Sequence, residues 1–126
     1  MILTRRDIDR IESLGYKGFY RYRKGFYRLV NVNGNCIFLN PETNKCTIYS
    51  ERPIGCRTYP LIYNEERGAI LDEECPLSST ISCRDLLKGL VELEQALREL
   101  EETYGYAVNW ILLRKSLVTL LSMCKD

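Results

Sequence analysis

GNCIFLNPETNKCTIYSERPIGCRTYP, residues 34–60, decides how this chain is read. Three cysteines, Cys36, Cys46 and Cys56, fall in it with nine residues between successive members. Each lies beside residues that turn the backbone. Asn33-Gly34 is a strong two-residue hairpin signal, because both central positions of a type I′ turn need positive φ. Tyr27 to Val32 alternates like a half-buried strand, and Cys36-Ile37-Phe38-Leu39 is predicted as the strand that returns from the turn. Pro41 to Asn44 forms a second turn and Cys46-Thr47-Ile48-Tyr49 a third short strand. Arg52-Pro53-Ile54-Gly55-Cys56-Arg57 reads as a compact turn or a single helical turn. Pro53 stiffens the approach to Cys56, and Gly55 lets backbone come close. The flanking arginines favour the thiolate, the form of cysteine that binds metal.

Upstream of this stretch, Thr4-Arg5-Arg6-Asp7 has the form of a capping box. Ile8, Ile11 and Leu14 recur at helical spacing and Gly15 fits a stop, so a helix is predicted over 5–14. YKGFYRYRKGFYR, residues 16–28, is aromatic and basic, with glycines at 18 and 25. Downstream, Tyr59–Tyr63 and Ala69–Leu71 are expected to pair across 64–68, and Cys75-Pro76 ends that unit. Leu86, Leu90, Leu93, Leu97, Leu100 and Tyr104 then form one apolar helical stripe. Gly105 breaks the run, and Trp110, Leu113, Leu117, Leu120 and Leu121 mark a second helix. The fold expected is α+β: one small domain over 1–126, with a cysteine-rich region of short strands and turns (1–82) and a C-terminal helical hairpin (83–126). The stripe can zip onto the neighbouring helix or onto another chain, and the neighbouring helix is favoured by connection length.

A chain of 126 residues with net charge +1 fits a single domain, and its bulk charge points to no class of partner. No apolar leader core follows Met1, and no run approaches the roughly 18 apolar residues of a membrane span. The expected location is the cytoplasm, where cysteines stay reduced, intracellular proteins of hyperthermophiles being the exception. Histidine is absent. That excludes Cys₂His₂ sites and any His-based nucleophilic triad. There is also no GxGxxG and no P-loop, so no enzymatic activity is assigned.

Cys75 follows Cys56 after eighteen residues and Cys83 follows Cys75 after seven, with Cys124 isolated. None forms a CxxC knuckle. Taken singly, each thiol reads best as a small buried hydrophobe. Four beside turn chemistry within 40 residues favour a metal site instead, with Cys36, Cys46, Cys56 and Cys75 as ligands. Cys83 is either a further ligand or a thiol near a helix cap, and Cys124 an incidental thiol. Two other features carry competing readings. Residues 1–30 hold eight cations against three acids. Arginine and lysine interleaved with aromatics suit RNA or DNA. The preferred reading packs the aromatics over the hairpin and leaves the cations as a solvated face. The acids of residues 92–102 likewise read as a solvated helix face.

Gly34-x-Cys36-Ile37-Phe38-Leu39, Cys46-Thr47-Ile48-Tyr49, Arg52-Pro53-x-x-Cys56-Arg57-x-Tyr59-Pro60 and Cys75-Pro76 together resemble the YkgJ-like cysteine-cluster family, described as a zinc- or iron-chelating domain. Leu3-Thr4-x-x-Asp7-Ile8 also looks similar. The resemblance implies that Cys36, Cys46, Cys56 and Cys75 are ligands and that Arg52 and Arg57 belong to the cluster's surroundings. Members similar to flagellin lysine methylases imply an iron–sulfur centre in part of the family, and with it a redox or methyltransferase component as a further alternative. The family's hallmark is a dense CxxxCxxCC-type segment before the first helix, absent here. Met1 is therefore read as an internal methionine, with a reduced four-cysteine member as the alternative. Bound Zn²⁺ in Cys₄ geometry would be structural, since it keeps no open position. An iron–sulfur cluster would instead carry electrons.

Overall fold

Thr4 starts the first helix as the sequence predicts. Its side chain accepts from the backbone N–H of Asp7, and the Asp7 carboxylate accepts from the N–H of Thr4, which completes the capping box of α1 (Arg5–Ser13). The computed structural model describes residues 1–76 and 78–124. The chain falls into two compact units, Met1–Cys56 and Arg57–Asp126.

In the first unit, three two-stranded antiparallel hairpins follow α1. β1 (Tyr20–Arg23) pairs with β2 (Phe26–Leu29), β3 (Asn31–Val32) with β4 (Asn35–Cys36), and β5 (Leu39–Asn40) with β6 (Lys45–Cys46). Asn33 and Gly34 have φ of 52° and 81°, the pair of positive values that the predicted turn demands. Lys24 and Gly25, at 53° and 88°, make a second such turn. That hairpin is not anticipated by the sequence reading, in which the glycines only interrupt a basic segment. The anticipated strands shrink accordingly: Tyr27–Val32 divides between β2 and β3, and Cys36–Leu39 between β4 and β5. Met1 to Leu3 runs beside β2, with Leu3 N–H donating to Tyr27 C=O at 2.8 Å and Leu29 N–H to Met1 C=O at 2.9 Å. Hairpins this short are not stable alone. Leu3, Ile8, Ile11, Phe19, Phe38 and Ile48 form one buried cluster beneath them. Each such side chain contributes roughly 1.5–3 kcal/mol on burial.

A 3₁₀ turn at Tyr49–Glu51 leads into α2 (Ile54–Thr58), the single helical turn expected around Cys56. The division between the two units falls within α2.

In the second unit, β7 (Leu61–Asn64) and β8 (Gly68–Leu71) pair across the expected turn. The long helix α3 (Cys83–Tyr104) ends at Gly105, whose φ of 67° supplies the left-handed C-cap, and α4 (Trp110–Met123) completes the helical hairpin. Leu86, Leu90, Leu93 and Leu97 of the stripe are buried with Leu61, Ala69, Val108 and Leu113. The stripe therefore packs on the β7–β8 hairpin as well as on α4, which is why the unit boundary precedes β7 and does not coincide with the pattern change at residue 83. Two of the helix acids depart from a solvated face. Glu99 is buried and accepts from Gln95, and Glu101 accepts from Val108 N–H and the Trp110 indole, tying down the turn between helices. No helix among the described residues is long and apolar enough to cross a membrane.

Candidate metal centre

Cys36 closes β4 opposite Asn31, Cys46 closes β6 opposite Leu39, and Cys56 lies in the middle of α2. All three belong to the first unit, all are half-buried, and all are free thiols. They are near enough to act on one another. Burial, and then the charges of Cys36 and Cys46, push the Cys56 thiol from an ordinary 9.0 up to about 11. This corrects the expectation that the flanking arginines make Cys56 a ready thiolate. The guanidinium of Arg52 is occupied elsewhere: it lies 4.1 Å from the centre of the Tyr49 ring and donates to the Tyr49 carbonyl at 2.9 Å. Arg57 opens the second unit with a buried Nε that has no hydrogen-bond partner among the described residues. Neither arginine contributes to the Cys56 shift.

The position of α2 depends on a residue outside the predicted site. Asp7 is fully buried, and its Oδ1 accepts from Ile54 N–H and from an Arg10 terminal nitrogen, both at 2.9 Å. Arg10 reaches on to the Arg52 carbonyl at 3.1 Å and pairs with Glu51 at 3.4 Å. One carboxylate thus caps α1 and fastens the segment that carries Cys56. The capping box signals Asp7 in the sequence, but nothing local signals its second partner, 47 residues away.

Cys75 lies in the second unit, half-buried, on a turn in which its N–H donates to the Asp72 carbonyl at 3.1 Å. The same aspartate accepts from Glu74 N–H and from the Tyr59 hydroxyl, the latter at 2.5 Å, and this bond raises the Tyr59 pKa to about 12. Cys83 is corrected. It forms a disulfide with Cys124, across a Cα–Cα distance of 5.1 Å, so neither is a free thiolate and Cys124 is not an incidental thiol. The expectation that cysteines stay reduced does not hold for this pair, because the start of α3 and the end of α4 bring the two sulfurs together; Cys36, Cys46, Cys56 and Cys75 are free.

Thiols are soft donors suited to zinc and to iron–sulfur chemistry, and in Cys36, Cys46 and Cys56 the residues present fit such a group. Among the described residues no three cysteine, aspartate or glutamate side chains stand close enough together, as placed, to hold a metal ion. Ligation would draw the three thiols together and remove their protons.

A family model of the CxxCxxCC type, described as "Putative zinc- or iron-chelating domain", matches residues 1–76, more than half of the chain. The CxxCxxCC spacing itself does not occur in that stretch, whose cysteines are Cys36, Cys46, Cys56 and Cys75. An uncharacterized protein of Methanocaldococcus jannaschii is 38% identical over 55 residues, covering 43% of this chain and 30% of that protein. The chain therefore spans less than a third of this relative. No solved structure matches.

Proposed function

We propose, for a chain that belongs to the CxxCxxCC family of zinc- or iron-chelating domains, that Cys36, Cys46 and Cys56 ligate a zinc ion or an iron–sulfur cluster, with Cys75 as the fourth ligand implied by resemblance. One observation carries the reading: three free thiols are delivered by β4, β6 and α2 of one unit, close enough that Cys36 and Cys46 add to burial in raising the proton affinity of Cys56. Packed thiols that were only small hydrophobes would gain nothing from this arrangement. A cation reverses its sign, since a coordinated thiol loses its proton outright.

Each part of the first unit has a role. The turns before β4 and after β5 present Cys36 and Cys46 at strand ends. Asp7 holds Ile54, and through it the helical turn of Cys56. The buried cluster of Leu3, Ile8, Ile11, Phe19, Phe38 and Ile48 gives these elements a floor. When bound, zinc would supply a closed structural staple, and an iron–sulfur cluster an electron-transfer centre.

The test is metal and sulfide content with an absorption spectrum, on protein purified without air. About one zinc per chain and no visible band means a structural site. Iron with equivalent sulfide and a brown charge-transfer band means a cluster. Serine at 36, 46 or 56 should each lower metal content sharply, and serine at 124 should not. Cys75→Ser decides the fourth ligand by the same readout. Equal retention in the 36, 46 and 56 variants and in the 124 variant would end the proposal.

A further inference from the structure

The β1–β2 hairpin separates what the sequence interleaves. Its register pairs Tyr20 with Leu29, Arg21 with Arg28, Tyr22 with Tyr27 and Arg23 with Phe26. Side chains alternate across a strand, so Arg21, Arg23 and Arg28 share one face and the tyrosines the other. The tyrosines are occupied with each other, edge to face, at 5.6 Å (Tyr20–Tyr27) and 5.1 Å (Tyr22–Tyr27). The arginine face has no such satisfaction. Arg21 and Arg28 are directly opposed like charges, which destabilise a strand pair. Among the described residues none of the three guanidinium groups has a carboxylate partner. Arg28 is held in place all the same: its Nε donates to the Arg23 carbonyl at 3.1 Å, and its guanidinium lies 5.5 Å from the Phe26 ring centre. That leaves its terminal nitrogens for something else. The three arginines line a cleft of about 480 Å³ together with Met1, Leu29, Val30 and Asn31.

We propose that this cleft binds phosphate groups, gripped by Arg21, Arg23 and Arg28. The planar fork of arginine matches phosphate oxygens two at a time, and a bound dianion or diester offsets the Arg21–Arg28 repulsion. The phosphate belongs either to the backbone of a single-stranded nucleic acid or to a free phosphate compound. Base stacking on the tyrosines is not part of this proposal, because they face the other way.

The experiment is fluorescence anisotropy of the whole chain with a labelled twelve-nucleotide oligouridine, and a parallel titration with inorganic pyrophosphate followed by thermal melting. Three phosphate contacts give a slope of about −2 in log K against log salt, roughly a twentyfold loss of affinity between 50 and 200 mM salt. Arg21→Gln/Arg23→Gln should cut the loss over that range to about threefold and weaken binding at low salt. The same variant should melt no lower than the wild type, because it relieves a repulsion, and pyrophosphate should raise the melting temperature of the wild type only. Arg21→Lys/Arg23→Lys should keep the salt slope. Pyrophosphate binding without RNA binding, lost in the glutamine variant, would assign a free phosphate compound and uphold the cleft. The proposal is overturned if neither probe binds at 50 mM salt. It is overturned equally if the glutamine variant binds like the wild type, or if Lys17→Gln/Lys24→Gln loses as much, since diffuse charge would then suffice.

Discussion

Replacing Asp7 by alanine should unfasten the segment that carries Cys56. The carboxylate is fully buried and accepts three hydrogen bonds, from Thr4 N–H, Ile54 N–H and the Arg10 guanidinium. Alanine leaves two buried backbone donors unpaired, at about 1–3 kcal/mol each. Arg10 loses less, because its side chain is 26% exposed and keeps Glu51 and the Arg52 carbonyl. The expected cost to the first unit is therefore about 2–6 kcal/mol, a range that contains the roughly 3–5 kcal/mol for breaking a buried charge pair. Against a typical domain stability of about 5–15 kcal/mol that is a large fraction. The sole tryptophan, Trp110, lies in the second unit and is a poor reporter. Native-state hydrogen exchange at the amides of Thr4 and Ile54 reads the loss directly. Asp7→Asn, which keeps one acceptor oxygen, should fall between wild type and alanine. A loss of protection below about 1 kcal/mol in the alanine variant would show that Asp7 does not fasten α2, and the account of how Cys56 is positioned would fall.

Gly68→Ala should destabilise the second unit by more than about 1 kcal/mol, because alanine at positive φ is strained. Gly68 has φ of 83°, and a Cβ there would stand 2.5 Å from Ser116 Oγ and 2.9 Å from the Leu112 carbonyl; an unchanged urea midpoint by Trp110 fluorescence would refute this. Reducing the Cys83–Cys124 disulfide releases a loop of 41 residues, and chain-entropy reasoning puts its contribution at about 4 kcal/mol. A melting temperature indifferent to reductant would contradict that. Metal affinity should rise with pH, by about tenfold per unit for each proton expelled, because the Cys56 thiol is raised to about 11 and is protonated at neutrality. Competition titrations at pH 6.5 and 7.5 with equal affinities would exclude proton release. The same shift has a sign for the metal-free protein: the folded state keeps a proton that the unfolded chain gives up near pH 9, so stability is intact below pH 9 and falls between 9 and 11.

Local chemistry is what the sequence made legible. The capping box at Thr4 and Asp7, the turn at Asn33-Gly34, the stop at Gly105 and the leucine stripe of α3 all follow from rules acting over a few residues. The Lys24-Gly25 turn obeys the same positive-φ rule, but lysine is an uncommon first member, so the hairpin it closes looks in sequence like a basic tract. Long-range closure was not legible. The Cys83–Cys124 bond joins positions 41 apart, and the Asp7–Ile54 bond positions 47 apart. Cys56 shows the limit most clearly. Two arginines flanking it within four residues suggest a depressed pKa, yet neighbours in sequence are not neighbours of a sulfur atom in a helical turn. Arg52 turns to Tyr49, and Cys56 is shifted first by burial and then by Cys36 and Cys46, at the ends of β4 and β6.

The first unit also explains why a metal should matter to folding as well as to function. Its strands are two to four residues long, in separate two-stranded hairpins with no shared sheet. Such hairpins are at best marginal alone, and a unit this small buries a limited core. The buried cluster gathers α1, the Phe19 loop and the Phe38–Ile48 segment, while Cys36 and Cys46 are only half-buried at its edge. Ligation at those two sulfurs and at Cys56 would cross-link β4, β6 and α2 where hydrogen bonding between hairpins is absent from the sheet ladder. Binding energy realised only in the folded state is folding energy. Chelation should therefore lower the stability of the first unit in the loaded protein, by the amount set by metal affinity and free metal concentration. A loaded first unit whose amide protection is the same before and after chelation would make the metal a passenger on a fold that stands without it.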